Sequence, residues 1–332
     1  MTSGSSPRAV LAEAFGEPAS FQLLPHDPGA PGPGQVRVNI RASGVSYVDV
    51  LTTEGSYQIK PNLPFVPGSE FSAVVETVGE GVSPSRIGER VCVYDFGNAY
   101  CEAAVVDEGR LYPMPDSMSF EEGAIFLASY STSYHALVQR ARLAAGETLL
   151  VLGAAGAVGY AACEIGKSIG ARVIASASTD EKRALVRRAG ADVIIDTRSP
   201  DWREEVRNSI GGRSLDVVFD PVGDVFTEAA FRSLGWGGRL LVVGFAAGSI
   251  ARLPTNLALL KGAALVGVNV TAFQQADPDL ARANVRDLLA LYEQGQIRPP
   301  IGRTFPIEAF AEAMELARSR QIAGRVVLQM GR

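Results

Sequence analysis

The chain has 332 residues, a length that predicts two domains. Hydrophobic residues make up 47% and charged residues 20%, the composition of an ordinary globular protein. The net charge of −5 argues against a broad nucleic-acid surface, which needs clustered lysine and arginine. The sequence has no apolar stretch of the roughly 18–20 residues that cross a bilayer, and no signal-peptide pattern. Three cysteines without a C-x-x-C pair predict reduced thiols in a cytoplasmic protein. From the charge and the lack of a long apolar stretch, we expect neither nucleic acid nor membrane as a partner.

The segment from about residue 8 to about residue 115 is dense in glycine and proline and contains short β-like runs. Val36–Ile40 alternates apolar and polar residues, as a half-buried strand does. Apolar, β-branched runs follow at 71–78 and 90–94, and turn dipeptides such as Pro67-Gly68 separate the runs. These features predict an irregular, mostly antiparallel β domain.

A helical periodicity begins near residue 119. Phe120–Val138 has helical spacing, with Ser119 as the N-cap and Glu122 at the capping-box position. Apolar strand candidates then recur at Thr148–Leu152, Arg172–Ala177, Val193–Ile195, Asp216–Phe219, Arg239–Val243 and Ala264–Val268. Helix-like segments lie between most of them, at 157–169, 180–189, 201–209, 224–234 and 255–261. This alternation predicts an α/β fold with a doubly wound, parallel six-stranded sheet, the Rossmann dinucleotide-binding arrangement.

The C-terminal part predicts two helices, Pro278–Glu293 and Ile307–Ala317, and a last strand, Gly324–Gln329. Because the six-stranded sheet is already complete, we expect this strand to join the first domain. The predicted division is a β-rich catalytic and substrate domain of residues 1–122 and 269–332, and a dinucleotide-binding domain of residues 123–268.

A glycine-rich loop follows the first strand of the predicted sheet and opens a helix, and in that context a glycine pattern is informative. Gly156 lets the backbone approach a pyrophosphate, and Gly159 allows close packing of helix on strand. The helix N-terminus offers free N–H groups and a positive dipole end to phosphates. Ala154 replaces the usual first glycine, so a ligand-free turn stays open as an alternative. The predicted cofactor-binding residues of the loop are Ala155, Gly156, Ala157, Val158 and Gly159.

The second strand ends where the adenosine ribose of such a cofactor binds. NAD sites usually place a carboxylate there, whereas this chain has only uncharged residues from Ser176 to Thr179. Hydroxyls with a nearby cation suit a 2′-phosphate, which predicts NADP(H) held by Ser178, Thr179 and Lys182, with Arg183 as a second candidate cation. The alternative is that Lys182 is an ordinary solvated helix residue.

Six motifs together are similar to the medium-chain dehydrogenase/reductase superfamily, and within it to the zinc-free quinone oxidoreductases of the zeta-crystallin type. The resemblance spans nearly the whole chain and implies a GroES-like N-terminal domain, a Rossmann domain and a cleft between them. The motifs are Ala42–Asp49, Leu63–Glu70, Gly88–Val91, the loop Gly153–Gly159, Leu215–Gly223 and Leu259–Gly262.

The absence of zinc follows from the ligand positions of that superfamily. Zinc-dependent relatives carry cysteine where this chain has Ser46, and a His-Glu pair where it has Ser69-Glu70. A catalytic zinc needs about three ligands of cysteine, histidine or carboxylate type, so we predict no metal. His26 and His135 are too few and too far apart in the sequence to replace them.

Without a Lewis acid, the chemistry should suit an acceptor that is already prepared for hydride. We therefore expect transfer of hydride from NADPH to a quinone or an α,β-unsaturated carbonyl, followed by delivery of a proton. Two alternatives remain open, an enoyl-thioester reductase and an NADPH-binding protein with a regulatory role and little turnover.

The resemblance also implies the residues of the pocket. Tyr47 and Tyr57 are the candidate catalytic residues, because a phenol hydroxyl is a hydrogen-bond donor at neutral pH. The further cofactor-binding candidates are Ser46, Thr132, Gly244, Phe245 and Arg325. Many relatives have asparagine in place of Ser46, and a relative's tyrosine near the adenosine phosphate is Thr197 here. Relatives pair their sheets edge to edge, which implies a homodimer formed through the segment 263–270.

Overall fold

The computed structural model describes residues 6–331, and the chain divides into two compact units. The first unit comprises Met1–Ala128 with Pro299–Arg332, and the second comprises Ser129–Arg298. Residues 1–5 and 332, which the predicted first domain includes, lie outside the described part.

The first unit is rich in strands, and the second alternates between strands and helices. In chain order, the strands are β1 (Arg8–Leu11), β2 (Gln22–Pro25), β3 (Gln35–Val45), β4 (Glu70–Val78), β5 (Arg90–Tyr94), β6 (Ala103–Asp107), β7 (Leu111–Pro113), β8 (Thr148–Val151), β9 (Arg172–Ser176), β10 (Val193–Ile195), β11 (Val217–Asp220), β12 (Arg239–Val242), β13 (Ala264–Gly267), β14 (Ile301–Pro306) and β15 (Arg325–Gln329). The helices are α1 (Tyr47–Thr53), α2 (Phe120–Gly123), α3 (Leu127–Tyr134), α4 (Ala157–Ile169), α5 (Asp180–Arg188), α6 (Trp202–Ile210), α7 (Val225–Ser233), α8 (Asn256–Lys261), α9 (Val270–Ala276), α10 (Pro278–Glu293) and α11 (Phe310–Ser319).

The first unit is built on an antiparallel sheet in which β3 is the central strand. β3 pairs with β4, β6 and β15. Its side chains alternate between half-buried and buried from Gln35 to Ala42, as the pattern at Val36–Ile40 predicts. The apolar face of this sheet packs into a core with the apolar face of α11. The sequence prediction of a mostly antiparallel β domain is therefore confirmed.

The last strand returns to the first unit, as predicted. β15 pairs antiparallel with β3 on one side and parallel with β14 on the other. Val326, Val327 and Leu328 are buried, so the strand belongs to the interior of the sheet. The chain thus leaves the first unit, builds the second and comes back to finish the first sheet.

The second unit contains a parallel sheet in the order β10-β9-β8-β11-β12-β13. β8 is buried along its whole length, as its unbroken apolar run predicts. The strand order reverses between β8 and β11, and the crevice outside their carboxyl ends is where open sheets of this kind bind ligands. This topology confirms the predicted doubly wound Rossmann fold.

The prediction of a single helix over 120–138 is wrong. The structure has α2, then α3, and then a π-helical turn over His135–Arg140. The predicted capping box of Ser119 and Glu122 is present at the start of α2. The backbone N–H of Ala128, in the first turn of α3, donates to the Glu70 carboxylate at 2.9 Å.

The compact units differ from the predicted division in the segment 269–298. In α10, Asn284 exchanges two amide hydrogen bonds with Gln139, and Asp287 accepts one from the Tyr134 hydroxyl. In α9, Phe273 stacks on His135 with ring centroids 4.1 Å apart. These contacts tie α9 and α10 to the second unit. As a division of catalytic roles, the predicted boundaries stay a prediction.

The described helices and cysteines bear on the membrane and redox expectations from the sequence. Among residues 6–331, no helix is long and apolar enough to cross a membrane. Cys92, Cys101 and Cys163 are free thiols, and all three are buried. Burial raises the pKa of the Cys101 thiol to about 12, and it also raises those of the other two.

Candidate active site

The glycine loop lies at the point where the strand order reverses. Gly153 follows β8 with a φ of +56°, a left-handed conformation that favours glycine. A Cβ atom added at Gly159 would overlap the carbonyl oxygen of Gly153, so only glycine lets α4 pack this close to the strand. Gly159 is therefore required for the packing of α4 on the glycine loop, and its contact with a cofactor stays a prediction.

The N-terminus of α4 lacks a side-chain cap from residues 6–331. Gly156 is the N-cap, and no side chain in the described part of the chain caps the helix. A helix of this length has unpaired N–H groups in its first turn and a positive dipole end. Ala157, Val158 and Gly159 supply those N–H groups, which suit the pyrophosphate of a dinucleotide.

Ser176 joins the loop to the neighbouring strand. Its hydroxyl accepts a hydrogen bond from the Gly153 N–H at 2.8 Å, and its carbonyl accepts from the Ala154 N–H at 3.2 Å. The chain then turns through Ser178 into α5, where Thr179 is the N-cap and accepts from the Lys182 N–H. Three of the residues predicted to meet the adenosine phosphate thus follow β9 directly.

A charged cluster at the end of β10 adds residues that the sequence analysis missed. Asp196 accepts hydrogen bonds from Arg183 and Arg198, and Arg198 also donates to the Ser178 carbonyl. The side-chain hydrogen bonds from Arg198 lower the pKa of Asp196 to about 2. No local signal marks Arg198, because only the parallel pairing of β10 with β9 brings it to Ser178.

The ends of β11 and β12 form the other side of the reversal. Asp220, which is buried, accepts from the backbone N–H groups of Val222 and Gly223 and from the Thr227 hydroxyl. A Cβ added at Gly223 would lie 3.0 Å from the Phe245 ring, so that ring lies against this turn. Gly244 and Phe245, predicted to lie along the cofactor, therefore flank the end of β11, and Phe245 is 43% exposed.

α3 is connected to the first turn of α4. The Ser133 hydroxyl donates to the Val158 carbonyl at 2.7 Å. Thr132 precedes Ser133 and is half-buried. This contact explains how Thr132, which is 26 positions before Val158 in the sequence, comes beside the glycine loop.

In the first unit, the candidate Ser46 belongs to a buried hydrogen-bond cluster around Asp49. The Ser46 hydroxyl accepts from the Asp49 N–H, and the Ser46 N–H donates to Asp49 Oδ2 at 2.8 Å, a complete capping box for α1. The hydroxyls of Ser69 and Tyr100 also donate to Asp49, at 2.8 and 3.3 Å. Burial raises the pKa of Asp49, against the hydrogen bonds from Ser46 and Ser69.

Arg325 lies beside a second buried carboxylate. Its Nη2 is 3.8 Å from Glu70 Oε2, and Glu70 Oε2 has no hydrogen-bond partner among the described residues. Burial raises the pKa of Glu70 to about 7. The Ser-x-x-Asp spacing from Ser46 to Asp49 is a sequence signal for the first cluster, but nothing in the pattern around Glu70 predicts this partner.

The two candidate catalytic tyrosines, Tyr47 and Tyr57, are half-buried, and the ring of each contacts a neighbouring side chain. The Arg320 guanidinium lies 4.7 Å from the centre of the Tyr47 ring, at the start of α1. Tyr57 stacks on Phe96, which in turn contacts Tyr94 edge to face. Both tyrosines belong to the first unit, and their catalytic roles stay predictions.

The would-be zinc positions hold hydroxyls that are already bonded. Ser46 caps α1 and Ser69 donates to Asp49. Within residues 6–331, no group of three or more histidine, cysteine or carboxylate side chains could hold a metal ion. This donor set does not fit a catalytic zinc.

Two family descriptions and many individual proteins match the chain. Residues 32–136 match the alcohol dehydrogenase GroES-like domain, and residues 157–285 match the zinc-binding dehydrogenase domain. The mouse (Mus musculus) quinone oxidoreductase-like protein 2 is 35% identical over 97% of this chain and 92% of its own length. The pig (Sus scrofa) quinone oxidoreductase is 34% identical over 96% of this chain and 97% of its own.

Solved structures agree with these matches. The quinone oxidoreductase of Thermus thermophilus, whose structure was also solved in complex with NADPH, is 28% identical with a TM-score of 0.82. The alignment covers 97% of this chain and 99% of that one. The chain is therefore an oxidoreductase of the medium-chain dehydrogenase/reductase superfamily and belongs, within it, to the zinc-free quinone oxidoreductase type.

Proposed function

We propose that this protein is an NADPH-dependent, zinc-independent oxidoreductase that transfers hydride to a quinone or an α,β-unsaturated carbonyl. The observation that carries the proposal is that no described side chain caps the N-terminus of α4, which lies behind the glycine loop at the reversal point of the sheet. The relatives named as quinone oxidoreductases support the substrate class, and the NADPH complex of the Thermus thermophilus enzyme supports the cofactor.

The residues of the second unit bind and orient the cofactor in this proposal. The first turn of α4 and the loop from Ala155 receive the pyrophosphate, while Ser178, Thr179 and Lys182 receive the adenosine phosphate. Thr132, Gly244 and Phe245 position the nicotinamide end. When bound, the cofactor supplies the hydride from its nicotinamide ring.

The residues of the first unit orient the acceptor and supply a proton in this proposal. Tyr47 and Tyr57 donate hydrogen bonds to the carbonyl oxygen of the acceptor, and Ser46 and Arg325 help to hold the cofactor. After hydride has been transferred, one proton must reach the oxygen or carbon that has gained negative charge. No step is assigned to zinc, because serines occupy positions 46 and 69, where zinc-dependent relatives place metal ligands.

A substrate panel tests the reaction. We expect NADPH absorbance to fall with quinones or enones and to remain steady with enoyl-CoA esters. Turnover of the thioesters alone would favour an enoyl-thioester reductase. Turnover of no compound in the panel would favour a binding protein. Dialysis against a zinc chelator should leave the rate unchanged, and its loss would contradict zinc independence.

A comparison of the two cofactors tests the predicted phosphate specificity. We expect a lower KM for NADPH than for NADH with the same acceptor, because Ser176, Ser178 and Thr179 at the end of β9 offer hydroxyls where NAD sites usually have a carboxylate. A KM for NADH that equals or undercuts that for NADPH would contradict this part of the proposal.

Separate replacement of Tyr47 and Tyr57 by phenylalanine tests the catalytic role of the two hydroxyls. Each change retains the ring contacts with Arg320 or Phe96 and removes only the donor. We expect kcat to fall about 10²-fold or more in at least one variant, the range for a positioned proton donor. An unchanged kcat in both variants would exclude a catalytic role for either hydroxyl.

We further propose that the protein is cytoplasmic and forms a homodimer through the segment 263–270. β13 is an edge strand that pairs only with β12 in the described sheet, and Leu265 on it is 50% exposed. An exposed apolar edge is an aggregation hazard unless it is covered, and a second copy would cover it.

A further inference from the structure

Two arginines lie beside the residues that follow β9, and they come from different elements. Arg183 is in the first turn of α5, and Arg198 follows β10. Parallel pairing places Ile195 opposite Ser176, so the two chain segments leave the sheet side by side. The carboxyl end of this strand pair is where the adenosine ribose of a Rossmann cofactor lies.

One carboxylate holds both arginines. Asp196 Oδ2 accepts from Arg183 Nη2 at 3.1 Å and from Arg198 Nη2 at 2.7 Å, and Asp196 Oδ1 accepts from Arg198 Nε at 3.0 Å. With two guanidinium groups on one carboxylate, the trio retains one net positive charge. Asp196 itself is therefore neutralised and does not repel an incoming anion.

Arg198 is oriented so that part of its guanidinium stays available. Nε and Nη2 face Asp196 and the Ser178 carbonyl, while Nη1 has no hydrogen bond to the described residues. The side chain is 64% exposed, so a ligand can reach it. A planar guanidinium held along one edge presents its remaining N–H groups in a fixed direction, which suits a phosphate.

The nearby carboxylate of Asp180 brings the net charge of the four side chains to zero. Asp180 bonds Arg183 Nη1 at 3.1 Å, and its own side chain is 99% exposed. Its charge is therefore well solvated and screened. Arg183 is engaged by two carboxylates, whereas Arg198 is engaged by one, so Arg198 is the better phosphate donor of the pair.

We infer that Arg198 is a specificity-determining residue that binds the 2′-phosphate of NADPH, and that Asp196 is the residue that positions it. The inference rests on the proposed use of a nicotinamide dinucleotide. It adds to Ser178, Thr179 and Lys182 a cation that lies 20 residues after Ser178 in the chain.

Calorimetric titration of the full chain with two probes tests the inference without any turnover. The probes are adenosine 2′,5′-bisphosphate and adenosine 5′-monophosphate, which differ only in the 2′-phosphate. We expect the wild type to bind the bisphosphate at least about tenfold more tightly, the worth of a charge-assisted hydrogen bond. Arg198→Gln should remove most of that difference and leave binding of the monophosphate unchanged.

Arg187→Gln is the matched control, because Arg187 is an exposed cation that lies one turn after Arg183 in α5. It should alter neither affinity. Arg198→Lys should restore part of the loss, since it retains the charge and loses the planar fork. Because Arg198 is exposed, each variant is expected to fold, and circular dichroism melting checks this.

Asp196→Asn separates positioning from charge. Removal of a negative charge alone would tighten binding of the bisphosphate, whereas release of Arg198 would weaken it several-fold. We expect weaker binding of the bisphosphate with unchanged binding of the monophosphate. Tighter binding would overturn the positioning role of Asp196.

The outcomes distinguish this inference from the proposed function. If the wild type prefers the bisphosphate and Arg198→Gln retains that preference, the role of Arg198 is overturned and NADPH specificity stands. If the wild type binds both probes equally, the NADPH preference and the inference both fail.

Discussion

At the scale of single residues, Asp49 is a buried acceptor that several donors share. The Ser46 N–H and the hydroxyls of Ser69 and Tyr100 all point at its two oxygens. A buried donor that loses its acceptor costs its full desolvation free energy, and here three donors depend on one side chain.

Asp49→Ala is therefore expected to lower the free energy of unfolding by on the order of 3 kcal/mol. Urea denaturation followed by circular dichroism measures this change. Asp116→Ala is the control, because Asp116 is an exposed aspartate of the same unit. Equal stability of the two variants would mean that water or a rearranged side chain satisfies the donors.

At the scale of elements, Glu164 in α4 ties together three parts of the second unit. Its Oε2 accepts from the Tyr130 hydroxyl in α3 at 2.6 Å and from the Arg298 N–H at 3.0 Å. Tyr160 donates a further side-chain hydrogen bond. Tyr130 and Arg298 lie close to the two places where the chain enters and leaves this unit.

Burial raises the pKa of Glu164 from 4.5 to about 7, against these hydrogen bonds. The folded state therefore holds this proton more tightly than the unfolded state does. The stabilisation of the folded state that comes from this bound proton is fully present below pH 4.5, and it is lost as the pH rises through about 7. The pKa shift corresponds to a change on the order of 3 kcal/mol.

Glu164→Gln is expected to remove this part of the pH dependence. Between pH 4.5 and about pH 8, the wild type should lose unfolding free energy relative to the variant, because only the wild type carries the titrating carboxyl. Urea denaturation at several pH values measures it. Glu204→Gln, at an exposed glutamate of α6, should show no such trend. A constant difference for Glu164→Gln would show that its carboxyl titrates normally.

At the scale of the whole molecule, the exposed apolar side chains near β13 bear on assembly. Trp236, which is 83% exposed, lies against Gly262 just before β13, and Leu259 and Leu260 are also exposed. Leu265, on β13 itself, is exposed as well. Exposed apolar patches mark interfaces.

Size-exclusion chromatography with light scattering should therefore give twice the 35.1 kDa mass of one chain. Leu265→Lys is expected to shift the protein to 35.1 kDa, because a charge on an edge strand opposes pairing. Val225→Lys, at an exposed apolar residue of α7, should not. A wild-type protein with the mass of one chain would contradict the homodimer.

Local patterns predicted those parts of the fold and site that depend on contiguous residues. The passage from a buried strand through Gly153 to α4 is one continuous segment, so its function as a turn is visible in the sequence. The capping box from Ser119 to Glu122 spans only three positions. Gly159 is required by the same segment, because it packs against Gly153.

By itself, the sequence determined the two kinds of domain, the order of strands and helices in the Rossmann sheet, and the glycine loop. These follow from hydrophobic periodicity and turn residues, which act over a few positions. Only the tertiary structure decided that Glu70 binds the start of α3, which unit holds α9 and α10, and that Arg198 meets Ser178. Each of these depends on a partner far away in the sequence: Glu70 for Ala128, Gln139 for Asn284, and β9 for β10. Such pairings form only when the chain is packed, because no short-range pattern records them.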